Sequence, residues 1–171
     1  PPGIAAAATD EVLRGVCAVR GWPARTADLY SANRPGATPG DVLAAVITDS
    51  YFRLPAIRLA EARATAPTPT YMYEFAWGTT VSELGACHAL ELGFVFDTLA
   101  KPGTAALAGP RPPQDLADDM HARWVAFATS GDPGWPAYDS NHRAVMTFGS
   151  PESRMVDDPR ADERTLWDGV V

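Results

Sequence analysis

His88 is the residue best placed for proton transfer in this chain. Thr70 to Trp77 reads as a strand, and after a short loop comes Gly85-Ala86-Cys87-His88-Ala89-Leu90-Glu91-Leu92. A histidine just past a strand, flanked by small residues, can turn its ring toward a site. There it can serve as a general base near neutral pH. The group it would activate is not evident. No Gly-x-Ser-x-Gly turn occurs. Ser31, Ser50, Ser82, Ser130, Ser140, Ser150 and Ser153 sit in polar turns or at helix ends, without the flanking glycines that strain a serine into exposure. Cys87 is adjacent to His88, but neighbours in an extended segment point apart, which makes a poor Cys–His pair. Glu83 and Glu91 are each near enough in sequence to orient the ring. If helix begins at Ala89, Glu91 shares a face with His88. A cap or supporting carboxylate is the simpler reading of Glu91.

Other polar clusters carry less. His121 lies beside the apolar stripe of a helix and His142 in a polar turn, so both read as solvated. Asp118-Asp119 fits a helix start and Asp157-Asp158 a turn, and neither has the spacing of a calcium loop. Cys17 and Cys87 lack metal-ligand spacing. They read as two reduced thiols, and hence a cytoplasmic setting. No metal or cofactor is implied.

The elements that must position His88 are mostly helices. Thr9 caps a helix with Asp10 and Glu11 in its first turn, which would carry Val12, Leu13 and Val16 inward and stop before Gly21. A second helix covers Ala24 to Ala32. Thr38, Pro39 and Asp41 are the strongest start signal. Leu43, Val46, Ile47, Leu54 and Ile57 follow at helical spacing, and Leu59 lies in the run beyond Pro55, which should kink or restart the helix before it ends near Ala64. Tyr71, Tyr73, Phe75 and Trp77 make one face of the strand aromatic. Val145 to Phe148 and Arg154 to Val156 are its only candidate companions. Lys101 to Gln114, rich in Pro and Gly, reads as a loop. Asp115 to Ser130 is a helix with Leu116, Met120, Trp124 and Phe127 as its stripe, closed by Gly131. A last short helix follows Pro159 and includes Leu166 and Trp167. Trp124, Phe127, Trp135 and Tyr138 read as core rather than a ligand platform.

The chain has 171 residues and a net charge of −7. That balance repels phosphates and argues against nucleic acid or an anionic membrane as partner. No apolar run is long enough to span a bilayer. The start, Pro1-Pro2-Gly3, has no initiator Met, so these residues are expected to come from something longer.

Several segments together resemble a family. His88-Ala89-Leu90-Glu91-Leu92-Gly93-Phe94-Val95-Phe96 resembles the histidine loop of type B carboxylesterases, α/β-hydrolases related to cholinesterases. Met120-x-x-x-Trp124-x-x-Phe127-Ala128-x-x-Gly131-Asp132-Pro133 resembles the family's late helix, and Trp135-Pro136-x-Tyr138 the turn after it. Asp49-x-x-Phe52-x-x-Pro55 resembles its kinked helix. Order and spacing hold from about Thr38 to the C-terminus.

The resemblance implies serine-dependent hydrolysis of small-molecule carboxylic esters. A serine attacks, a histidine is the general base, an acid orients it, and backbone N–H groups hold the oxyanion. Only the histidine maps here, onto His88. The acid is not carried over to Glu83 or Glu91. The family usually has Pro where Gly93 stands and often Gly where Asp97 stands. Gly93 is expected to loosen the turn, and Asp97 to add charge on the pocket side. The implied fold class is α/β: residues 1–171 as the C-terminal part of one α/β-hydrolase domain, mostly helical, with one central strand and one or two short ones. Such a piece needs the missing N-terminal part of its own domain. Two rivals are a non-catalytic carboxylesterase-like binding or adhesion protein and a stand-alone helical binding module. The buried-looking Tyr71–Trp77 strand argues against the second.

Overall fold

The computed structural model describes residues 8–82, 84–149 and 152–170. Pro1, Pro2, Gly3, Glu83 and Ser150 lie outside the described residues. In chain order the first elements are α1 (Asp10–Val19), α2 (Thr26–Ala32), α3 (Pro39–Thr48), a π-helical turn (Asp49–Arg53), α4 (Leu54–Ala62) and β1 (Tyr73–Phe75). Then come α5 (Leu92–Val95), α6 (Pro102–Ala108), α7 (Gln114–Ser130), β2 (Ala144–Phe148), β3 (Arg154–Asp157) and α8 (Ala161–Leu166). They form two compact units, residues 8–62 with 160–170, and residues 63–159.

The first unit is helical. Thr9 caps α1 by accepting from the Val12 N–H at 3.3 Å. Leu13 and Cys17 are buried, one turn apart, but Val12 is 45% exposed because it sits about 100° round the helix from that face. Thr38 and Asp41 form the expected reciprocal cap on α3. Pro55 does not break the helix outright. The preceding turn widens, so that the Leu54 N–H reaches back to Asp49 O. A π-helical turn makes room where the proline ring would otherwise crowd the turn before it. Beyond it Ile57 is buried, whereas Leu59 is exposed. Leu13, Tyr30, Val42, Val46, Leu54 and Trp167 form the core.

The second unit is built on a three-stranded sheet of order β1-β2-β3. β1 runs parallel to β2 with Tyr73 opposite Met146 and Phe75 opposite Phe148, and β3 is antiparallel to β2. Among the described residues β2 is therefore the middle strand. The strand read over Thr70 to Trp77 is regular only for three residues. Its ladder is extended by Met146 N–H to Met72 O and Ala76 N–H to Phe148 O, while Thr70 O accepts instead from the Tyr138 N–H. The stretch read as a loop from Lys101 to Gln114 contains α6. Pro102 opens it and Gly109, at φ +78, ends it. Those are ordinary start and stop residues, hidden in the sequence by the prolines that follow. Leu90, Phe94, Leu99, Ala117, Met120 and Phe148 form the core.

Candidate active site

His88 lies on the connection between β1 and α5. After β1 the chain doubles back through a bridge in which the Thr79 N–H donates to Gly85 O at 3.1 Å. Gly109 lies beneath this loop. A Cβ there would come within 3.0 Å of Thr80 Oγ1 and 3.2 Å of Val81 Cγ2. The chain then makes a tight turn in which the Leu90 N–H donates to Cys87 O at 3.2 Å. Leu90 is buried, and Cys87 packs partly against the same core. Both ends of the turn are thus anchored, and His88 and Ala89 form its corner. His88 is exposed. Ala89, the third residue of the turn, has φ +66, a left-handed conformation that ordinarily favours glycine.

The other candidates separate from His88. Among the described residues none hydrogen-bonds to its ring, serines included. Ser50 and Ser130 bond to helix carbonyls behind them. Cys87 and Cys17 are free thiols. Glu91 stands at the N-terminus of α5 without a side-chain capping bond. Burial raises the Tyr73 phenol above its ordinary pKa, and the Glu91 charge adds to the rise.

His121 is half-buried rather than solvated: its Nδ1–H donates to Val95 O at 2.8 Å, joining α7 to the end of α5. Only tertiary packing brings that carbonyl within reach. His142 is exposed, 3.1 Å from Asp139 Oδ2. Asp97, at φ +48, accepts from Gln114 Nε2 at 2.8 Å. Its charge ties the end of α5 to the start of α7. Asp118 accepts from the same amide, and Asp119 pairs with Arg123. Among the described residues no three His, Cys, Asp or Glu side chains gather where a metal ion could be held.

The aromatic stripe of α7 is less buried than its spacing suggests. Met120 is fully buried, but Trp124 and Phe127 are 39% and 45% exposed. Together with Tyr71, Tyr73 and Trp135 they line an open groove of about 390 Å³. Tyr138 is buried, as expected of core.

The family model for the carboxylesterase family matches residues 24–167. The chain belongs to the carboxylesterase family. Among curated relatives it is 29% identical to phenmedipham hydrolase of Pseudarthrobacter oxydans over 77% of this chain and 29% of that protein. It is 32% identical to fumonisin B1 esterase of Sphingopyxis macrogoltabida over 72% of this chain and 25% of that one. The crystal structure of the Geobacillus stearothermophilus carboxylesterase superposes with a TM-score of 0.80 at 34% identity, covering 97% of this chain and 36% of the other. The fold is thus that of part of an α/β-hydrolase. The chain spans between a quarter and a third of the length of these curated relatives.

The position of His88 was legible from its small neighbours and the family pattern. Its left-handed neighbour was not, since alanine carries no signal for positive φ.

Proposed function

We propose that this carboxylesterase chain supplies the general base, His88, of a serine-dependent hydrolase of small-molecule carboxylic esters. The nucleophile lies outside these 171 residues. The reading is carried by His88 standing exposed at the corner of an anchored turn, on the connection that leaves a strand in parallel pairing. The absence of a nucleophile elbow from the sequence, and the share of its relatives that the chain spans, support the second half of the reading.

His88 takes the serine proton as the hydroxyl oxygen attacks the ester carbonyl, giving a tetrahedral oxyanion. Collapse breaks the bond to the alcohol oxygen, and the imidazolium returns its proton to that leaving group. A water then gives a proton to His88 and attacks the acyl carbon. The second collapse releases acid, and the proton goes back to the serine.

In the complete enzyme, His88→Ala is expected to lower kcat for a p-nitrophenyl ester by at least about 1,000-fold, with KM little changed. Near-normal turnover would refute the reading.

A further inference from the structure

We propose that Ala89 is a positioning residue, whose left-handed backbone fixes the direction of the His88 imidazole. The inference rests on His88 being the general base.

The turn offers few ways to hold that ring. Among the described residues none bonds the ring, so within them its direction is set by the backbone that carries it, and the orienting acid that the family implies would act on top of that. Both ends of the turn are held by packing. Leu90 is 1% exposed in the core, and Cys87 packs against the same cluster. What remains free is the peptide between His88 and Ala89. Ala89 at φ +66 sets the tilt of that peptide, and with it the ψ of His88. With Ala89 in the right-handed region the peptide would have to rotate, changing the ψ of His88. Rotamer populations follow backbone φ and ψ, so the rotation would redirect the ring although the Cys87–Leu90 bond survived.

The conformation is an unfavourable one for alanine. A left-handed L-residue is disfavoured by the clash of Cβ with the carbonyl oxygen. Among the described residues the other non-glycine residues at positive φ are Ser82, Asp97, Arg143, Asp158 and Arg160. Asp and Asn tolerate this region through local hydrogen bonds, but a methyl group gains nothing from it. Leu90, buried just beyond it, and the start of α5 hold the chain on that path. Such over-determined strain is characteristic of functional loops.

The test separates backbone conformation from side-chain size. In the complete enzyme Ala89→Gly and Ala89→Asn keep positive φ accessible, whereas Ala89→Val opposes it. Asn and Val both enlarge the side chain. The expected result is that kcat for a p-nitrophenyl ester falls at least tenfold for Ala89→Val relative to Ala89→Gly and Ala89→Asn, with KM within about twofold throughout. Should Ala89→Val not fold, Ala89→Leu is read in its place. Equal losses for Asn and the apolar residue would assign the effect to crowding and overturn the proposal. So would an unchanged kcat, or a change confined to KM. His88→Ala is run alongside. If it stays active, the general-base reading fails whatever the Ala89 series gives. If it is inactive while Ala89→Val retains full kcat, only the positioning proposal fails.

Discussion

A Cβ built on Gly93 would lie 2.1 Å from Thr104 Cγ2 and 3.4 Å from Leu99 Cδ2. The sequence suggested that glycine in place of proline would loosen the turn after His88. The packing points the other way. Gly93 is helical, second in α5 and buried, and the missing side chain admits the methyl group of Thr104 at the start of α6. Gly93→Ala should therefore lower the urea midpoint, by an equivalent of about 1–3 kcal/mol for overpacking. Adding Thr104→Ser, which deletes only that methyl, should recover most of the loss. No recovery would mean that the glycine is needed for something other than space. A second residue-scale effect concerns pH. The Asp139 carboxylate accepts from the Asn141 and His142 amides and from the His142 ring. The His142 amide bond is the largest cause holding its pKa below the ordinary value. Asp139, aided by Asp157, raises the His142 pKa above 6.5. The His142 contribution to stability is full below 6.5 and disappears as pH rises through the higher folded value. The Asp139 contribution is present above its unfolded pKa of 3.8 and disappears as pH falls through its lowered one. Both act together between about pH 4 and 6.5. An NMR titration should place His142 above a free imidazole, and Asp139→Asn should bring it down.

At the scale of elements, the widened turn at Asp49–Arg53 serves a buried polar network. Asp49 accepts Arg53 at two positions, 2.8 and 2.7 Å, and the Tyr30 hydroxyl at 2.6 Å, while Trp167 Nε1 donates to that hydroxyl. Burial, then Asp49, raises the Tyr30 phenol far above its usual pKa, so it remains a donor. On α8, Glu163 is fully buried and takes two bonds from Arg34 and one from Asn33, with Arg53 and Arg160 at 3.9 Å. Removing one partner from such a cluster strands the others away from water. Glu163→Ala should lower unfolding stability by about 3 kcal/mol, whereas Arg14→Ala, at an exposed pair with Asp10, should leave the urea midpoint nearly unmoved. A small effect at Glu163 would show that water reaches the arginines. None of this network was legible in sequence. Asn33 and Glu163 are 130 residues apart, and charges that far apart show no pattern until the fold joins them. What was legible was local: the Thr38–Asp41 cap, the Gly131 stop of α7 at φ +78, and the companions of β1. What was misread lay where a local signal was masked, as at Pro102, where a residue fell beside the buried face of its own helix, as at Val12, or where burial depended on a neighbour, as at Trp124.

At the scale of the whole molecule, the carboxylesterase pattern and the proposed role of His88 lead to one chemical question, whether it serves a serine and which one. The described serines are committed elsewhere or have no bond to it, and the chain spans 29% of phenmedipham hydrolase and 36% of the Geobacillus enzyme. A fluorophosphonate reports directly on the answer, because it captures only a serine whose proton a base removes within an oxyanion pocket. These 171 residues alone should take up none and should hydrolyse p-nitrophenyl acetate no faster than their imidazole content accounts for. The complete enzyme should take up one equivalent, on a serine outside these residues, and His88→Ala should slow that labelling in proportion to its loss of kcat. Mass-spectrometric mapping of the adduct to Ser82, Ser140 or any other serine within the 171 residues would overturn the assignment. The chemistry would then be complete inside this chain, and His88 would need a serine with which it shares no hydrogen bond here.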